Sequence, residues 1–83
     1  MKVKYSRHAR ERMALRGITT DDVIRVILNH HSSWGTKEES VQYTGSVDSG
    51  RELKVWLVAP GYVSSDAWVT VKSAAWKDEE DPA

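Results

Sequence analysis

The chain has 83 residues, no cysteine and a formal net charge of zero, because 12 basic and 12 acidic side chains balance. This length suffices for one domain with a single core, and the lack of cysteine excludes disulfides and thiolate-bound metals as supports for that core. No apolar run approaches the ~20 residues that span a bilayer, and the charged N-terminal residues do not resemble a signal peptide. We therefore expect a cytoplasmic protein with no membrane partner.

Charge is distributed unevenly along the chain. Basic side chains predominate in residues 1–30, whereas residues 78–81 are all acidic. This modest basic excess permits phosphate binding, although it is smaller than that of a dedicated nucleic-acid-binding protein. We predict a single α+β domain over residues 1–76, followed by an acidic, flexible C-terminal tail over residues 77–83.

The first predicted elements are a short strand and a helix. Val3–Tyr5 belongs to an alternation of polar and apolar side chains that has the two-residue period of a strand. Ser6 is a good N-cap for a helix over Arg7–Arg16, which is rich in strong helix formers. Gly17 can end this helix, because it adopts the left-handed conformation without a steric penalty.

A second helix is predicted directly afterwards. Thr19 and Asp22 have the spacing of a capping box, and the apolar residues of Val23–Leu28 form a broad stripe on a helix that ends near Asn29. Because the link between the helices is only Gly17–Thr19, we expect the two helices to pack against each other as a hairpin.

The remaining chain alternates with the period of strands. We predict strands over Val41–Val47, Leu53–Ala59 and Ala67–Ser73, with a hairpin turn at Asp48–Gly50 and a loop over Ser32–Glu39. The predicted fold class is therefore α+β, with two N-terminal helices in a hairpin packed on one face of a three- to four-stranded curved antiparallel sheet.

The alternation also predicts two chemically different faces for this sheet. The apolar face, on which the helices should pack, consists of Leu53, Val55, Leu57, Val69 and Val71. The opposite face presents Lys54, Trp56, Val58, Trp68, Thr70 and Lys72. One interpretation of the second face is an RNA platform, where indoles stack on unpaired bases and ammonium groups hold the backbone. The other is a surface covered by the segment Ala74–Trp76 or by a protein partner.

Three side chains of the first helix, His8, Arg12 and Arg16, are successive i, i+4 neighbours. In a functional interpretation, His8 and Arg12 face a phosphate, because an imidazole can transfer protons and a guanidinium can bind phosphate oxygens. In a structural interpretation, His8 forms a hydrogen bond near the helix start, and the arginines lie on apolar surface and pair with nearby acids or carbonyls. The spacing leaves both open, and Arg16 is the best candidate for a structural role.

Cofactor and metal sites are not predicted. His30 and His31 are adjacent in sequence, so they point about 100° apart on a helix, and no further ligand has metal-site spacing to them. The chain has neither a glycine-rich phosphate-binding motif nor a nucleophile elbow. We therefore expect no metal, no nucleotide cofactor and no other cofactor.

Two segments carry a resemblance to known proteins: Ser6–Val23, which reads SRHARERMALRGITTDDV, and Val69–Val71, which reads VTV. They resemble a family of small bacterial domains of unknown function, allied with the RelE and BrnT toxins and with the barnase-like and EndoU-like nuclease fold group. The resemblance implies a RelE-like fold and metal-independent RNA cleavage, in which the ribose 2′-hydroxyl attacks the adjacent phosphorus.

By position, the resemblance implies that His8 is the acid or base, Arg12 the phosphate clamp and Thr70 a hydrogen-bonding partner. The candidate RNA-binding residues are then Arg16, Lys54, Trp56, Trp68 and Lys72. The favoured hypothesis is a toxin-type endoribonuclease that acts on RNA and is held inactive by a cognate antitoxin. The alternative is a noncatalytic protein-binding or toxin–antitoxin accessory module that uses the face with the two tryptophans.

Overall fold

The computed structural model describes residues 2–36, 39–62, 64 and 66–78. In chain order, these residues form β1 (Lys2–Tyr5), α1 (Arg7–Arg16), α2 (Thr20–Asn29), β2 (Ser32–Gly35), β3 (Ser40–Ser46), β4 (Glu52–Val58) and β5 (Trp68–Trp76). The strands make a five-stranded sheet in the order β1-β5-β4-β3-β2. Strand β1 runs parallel to β5, and the other neighbouring strands are antiparallel.

The predicted fold class is wrong in two respects, although the protein is α+β. The sheet is five-stranded and mixed rather than three- to four-stranded and antiparallel, because β1 precedes the helices and pairs in parallel with the last strand. In addition, Ser32–Gly35 forms β2 within the segment predicted as a loop. Three of its four side chains are exposed, so this edge strand lacks the apolar alternation that reveals a strand in sequence.

The helices do not form the predicted hairpin. Helix α1 packs chiefly on β5, whereas α2 packs on β3 and β4, so the sheet is the main partner of each. The physical reason is that α1 buries only two of its described residues, Ala9 and Met13. Both belong to the same core as the apolar face of the sheet, and α1 has no broad stripe for a second helix.

The predicted helix ends are confirmed by their capping bonds. Ser6 Oγ accepts a hydrogen bond of 3.0 Å from the Ala9 amide, and Gly17 adopts φ 66° directly after α1. The Thr19 hydroxyl and the Asp22 carboxylate each accept a bond of 3.1 Å from the other residue's backbone N–H. These bonds satisfy amides that would otherwise lack partners in the first turns of the helices.

The predicted core is confirmed. The five apolar sheet residues named above are buried, together with Val23, Val26 and Ile27 of α2. Helix α2 approaches β3 closely at Gly45, where an added Cβ would lie 3.3 Å from the Cα of His30. A glycine at this position therefore sets the distance between the helix and the sheet.

Strand β5 is longer than predicted and contains a bulge. Trp56 pairs with Ser73, and Leu57 pairs with Val71, so Lys72 is an extra residue in β5. After this bulge, Ala74 and Trp76 are buried in the core on the helix side. The alternative in which this segment folds over the opposite face of the sheet is therefore wrong.

The predicted acidic tail begins with two residues that contact the domain. The Lys77 amide donates to the Glu52 carbonyl, and the Asp78 carboxylate accepts three bonds from the Arg51 guanidinium, at 3.0, 3.1 and 3.3 Å. The hydrogen bonds from Arg51 lower the pKa of Asp78 below its ordinary value. The rest of the predicted tail, residues 79–83, lies outside the described residues. In the described part of the chain, no helix is long and apolar enough to cross a membrane.

Candidate nucleic-acid interface

One side of the sheet carries both helices, and the opposite side, which we call the open face, is not covered by any described element. Side chains alternate between the two sides along each strand, and directly paired residues share a side. The residues that share the open face are Lys2, Lys4, Ser32, Trp34, Ser40, Gln42, Thr44, Ser46, Glu52, Lys54, Trp56, Val58, Trp68, Thr70, Ser73 and Ala75. Among them, Ser40, Thr44 and Ala75 are buried.

Three tryptophans lie on this face, one on each of three strands. Trp68 and Trp34 expose 56% and 50% of their surface, and Trp56 is half-buried. Trp56 and Trp68 were predicted to lie here. Trp34 was missed because its segment was predicted as a loop. The sequence did offer one signal for this position. Trp34 is a single large aromatic residue in a run of small residues, and such a residue is favoured in strands.

Lysine ammonium groups lie next to two of these indoles. The Nζ atoms of Lys2 and Lys4 lie 5.7 and 5.1 Å from the ring centroid of Trp68. On the central part of the face, Lys54 Nζ lies 5.6 Å from the ring centroid of Trp56. These are cation–π distances, so each cation is held next to an aromatic ring by the ring quadrupole. The face can thus offer stacking surface and positive charge at the same points.

Among the described strand residues of the open face, Glu52 is the one carboxylate, and it is held by two basic partners. His31 Nε2 lies 2.9 Å from one carboxylate oxygen, and Lys77 Nζ lies 3.0 Å from the other. The hydrogen bonds from Lys77 and His31 lower the pKa of Glu52 below its ordinary value. The negative charge is therefore compensated locally, and the lysines near the tryptophans leave the face positive.

The three predicted catalytic residues do not lie on the same face of the sheet: two are in α1, on the helix side, and one is on the open face. His8 is exposed in the first turn of α1, and Arg12 is half-buried one turn later. Thr70 pairs with Lys4 and lies on the open face, because its neighbours Val69 and Val71 point into the core under the helices. No hydrogen bond joins any two of these three residues in the described part of the chain, and their catalytic roles stay predictions.

Arg16 is placed in the contact between α1 and β5. Its Nη1 donates a hydrogen bond of 2.8 Å to the Ala74 carbonyl, and the Trp76 indole N–H donates one of 2.8 Å to the Arg16 carbonyl. Ser6 adds two further bonds, because its amide donates to Val71 and its hydroxyl to the Lys72 carbonyl. Beyond the short pairing with β1, the edge of β5 is thus covered by the ends of α1.

The adjacent histidines have separate structural contacts. His30 Nδ1 donates to the Ile27 carbonyl at 2.9 Å, and its ring stacks on Tyr43 with the centroids 4.4 Å apart. His31 contacts Ser32 and Glu52 instead. Within the described residues, no group of three histidine or acidic side chains could hold a metal ion.

Comparison with known proteins gives one family. Residues 5–74 match DUF4258, a domain of unknown function. No curated protein and no solved structure matches the chain. The prediction of a family of small domains of unknown function is thereby confirmed, whereas its link with the RelE and BrnT toxins stays a prediction. Because the match extends from β1 into β5 and covers most of the sequence, the chain belongs to the DUF4258 family.

Proposed function

We propose that this domain binds single-stranded RNA in the cytoplasm through the open face of its sheet. The observation that carries the proposal is the set of three solvent-accessible tryptophans on a helix-free face, two of them flanked by lysines. Stacking of a base on an aromatic side chain contributes about 1–3 kcal/mol, and it requires bases that are not paired in a duplex.

The spacing of the tryptophans suits a short stretch of nucleotides. Trp34 and Trp56 both pair with Gln42, so they lie two strands apart, which is about 10 Å at the usual strand spacing. Trp68 lies farther along β5, beyond the bulge at Lys72. An extended strand of several nucleotides can therefore reach all three indoles, and the lysines lie where its phosphates would pass.

The chemistry of the face favours RNA over a protein partner. The buried centres of protein–protein interfaces are enriched in aromatic residues but depleted in lysine. Here Lys54 lies next to Trp56 on the central strand β4, and Lys2 and Lys4 lie next to Trp68 on the edge strand β1. The phosphates of a nucleic acid are neutralised by lysines in such positions.

Fluorescence anisotropy with a labelled single-stranded RNA of mixed sequence tests the proposal. We expect binding at low salt, and Trp68→Ala should weaken it about 5-fold or more, as loss of one stacked base predicts. Leu15→Ala is the matched control, because Leu15 is 77% exposed on α1, away from the open face. Equal affinities of wild type and Trp68→Ala, or no binding to RNA at low salt, would refute the proposal.

Salt dependence supplies a second readout. If three lysines neutralise three phosphates, the logarithm of the association constant should fall with the logarithm of salt concentration with a slope of about −2. Lys4→Met should reduce this slope by about one phosphate's share, and Lys4 is exposed, so the fold should persist. A slope near zero would contradict an electrostatic contact with RNA.

RNA cleavage by His8 and Arg12 is a separate proposal that rests on the family resemblance alone. The same RNA, incubated with the protein in chelator and analysed by denaturing gel, tests it. Cleavage that is lost in His8→Ala while RNA affinity persists would support catalysis. If neither wild type nor His8→Ala cleaves the RNA, the proposal of catalysis is refuted and the proposal of RNA binding is unaffected.

A further inference from the structure

Gln42 occupies the position between two tryptophans of the open face. It pairs directly with Trp34 on one side and with Trp56 on the other, so the three side chains form a row across β2, β3 and β4. Its side chain is half-buried. No described residue hydrogen-bonds to its amide group, although β3 is an interior strand where β-branched or aromatic residues fit better. A polar group with free donors and an acceptor thus lies between two stacking surfaces.

We propose that Gln42 reads the edge of a base that stacks on Trp34 or Trp56, and that it selects adenine. A base on either indole stands above the row, so its edge faces the neighbouring side chain of β3. The glutamine amide offers a donor and an acceptor together, the pattern that matches the N6 amino group and N7 of adenine. This inference rests on the proposed RNA binding and assigns it a base preference.

The test compares single-stranded RNA octamers of adenosine, uridine and 7-deazaadenosine. The wild type should bind the adenosine octamer about 5-fold or more tightly than the uridine octamer, the lower end of discrimination by a bidentate contact. The 7-deazaadenosine octamer retains the stacking surface of adenine but lacks the N7 acceptor. It should lose most of the preference.

Gln42→Met keeps the length of the side chain and removes both hydrogen-bonding groups. This variant should bind the three octamers with similar affinity, at about the level of wild type with uridine. Ser46→Ala is the control, because Ser46 is exposed on the same strand and side, away from the row of tryptophans. It should keep the preference for adenosine.

Two outcomes would overturn the inference and leave RNA binding intact. The first is equal wild-type affinity for all three octamers. The second is a preference for adenosine that persists in Gln42→Met, or a wild-type affinity for the 7-deazaadenosine octamer as high as that for adenosine. The second outcome would assign the preference to stacking alone. Failure of every octamer to bind the wild type at low salt would instead refute the proposed function, and the base preference with it.

Discussion

Replacement of Arg16 by methionine should separate a structural role from an RNA-binding role. Methionine retains most of the aliphatic stem and removes the guanidinium that donates to the Ala74 carbonyl at 2.8 Å. The return bond, from the Trp76 indole to the Arg16 carbonyl, uses the backbone and remains possible in the variant. The substitution therefore tests the Arg16 side chain separately from the other bonds between α1 and β5, which come from Trp76 and Ser6.

The expected loss follows from the surroundings of the acceptor. A hydrogen bond from a charged donor contributes about 1.5–3 kcal/mol to stability, and an unpaired buried carbonyl retains its desolvation cost. Ala74 is fully buried, whereas Arg16 is half-buried, so we place the loss near the middle of this range, at about 2 kcal/mol. In a domain of this size, such a loss lowers Tm by about 8–16 °C.

The assay is urea and thermal unfolding followed by circular dichroism, with Arg10→Met as control. Arg10 is exposed on the same helix, so its replacement should change stability by less than about 0.5 kcal/mol. RNA affinity measured well below both Tm values should be the same for Arg16→Met and wild type. If Arg16→Met is as stable as the control but binds RNA more weakly, the structural assignment is refuted and the sequence-based prediction of RNA binding stands.

Two further predictions concern packing and pH. Gly45→Ala should destabilise the protein by about 1–3 kcal/mol, because the new Cβ would lie 3.3 Å from the Cα of His30, the residue directly after α2. Gly35→Ala is the control, because its new Cβ meets no atom within 4 Å, and equal Tm values for the two variants would contradict the close approach at Gly45. Glu52 has a pKa below the ordinary value, owing to Lys77 and His31, so the unfolded state binds more protons in acid. The stabilisation of the folded state by ionised Glu52 should be complete above about pH 4.3 and lost as the pH falls through the lower folded-state pKa. In urea unfolding measured at several pH values, Glu52→Gln should therefore remove this part of the fall in unfolding free energy in acid. An identical acid limb in the variant would show that the contacts of Glu52 add no stability.

Local signals account for the parts of the fold that could be predicted from sequence. Capping depends on residues three or four positions apart, so Ser6 and Gly17 identified the ends of α1 correctly. Alternation depends on neighbouring residues, and it placed Val55 and Trp56 on the correct opposite sides of β4. These patterns arise from the backbone geometry of a single element, and they do not require knowledge of its partners.

Pairing between distant strands could not be predicted in the same way. The direction and partner of β1 depend on Val69–Val71, which lies at the other end of the chain, and no local pattern encodes that pairing. Strand β2 has few apolar side chains because it lies at an edge. As a result, Lys2, Lys4 and Trp34 were not predicted to lie on the open face, although they make up much of its cationic and aromatic surface.

The parallel pairing of β1 with β5 also determines when the domain can fold during synthesis. Strand β1 and α1 are synthesised before β5, which is the main contact of both. Ala9 and Met13, the buried residues of α1, therefore lack the strand on which their helix packs until β5 has emerged. Contacts such as that between Ser6 and Lys72 join residues 66 positions apart, and the entropy of closing so long a loop slows folding. Folding of this domain therefore cannot be completed until β5 has been translated.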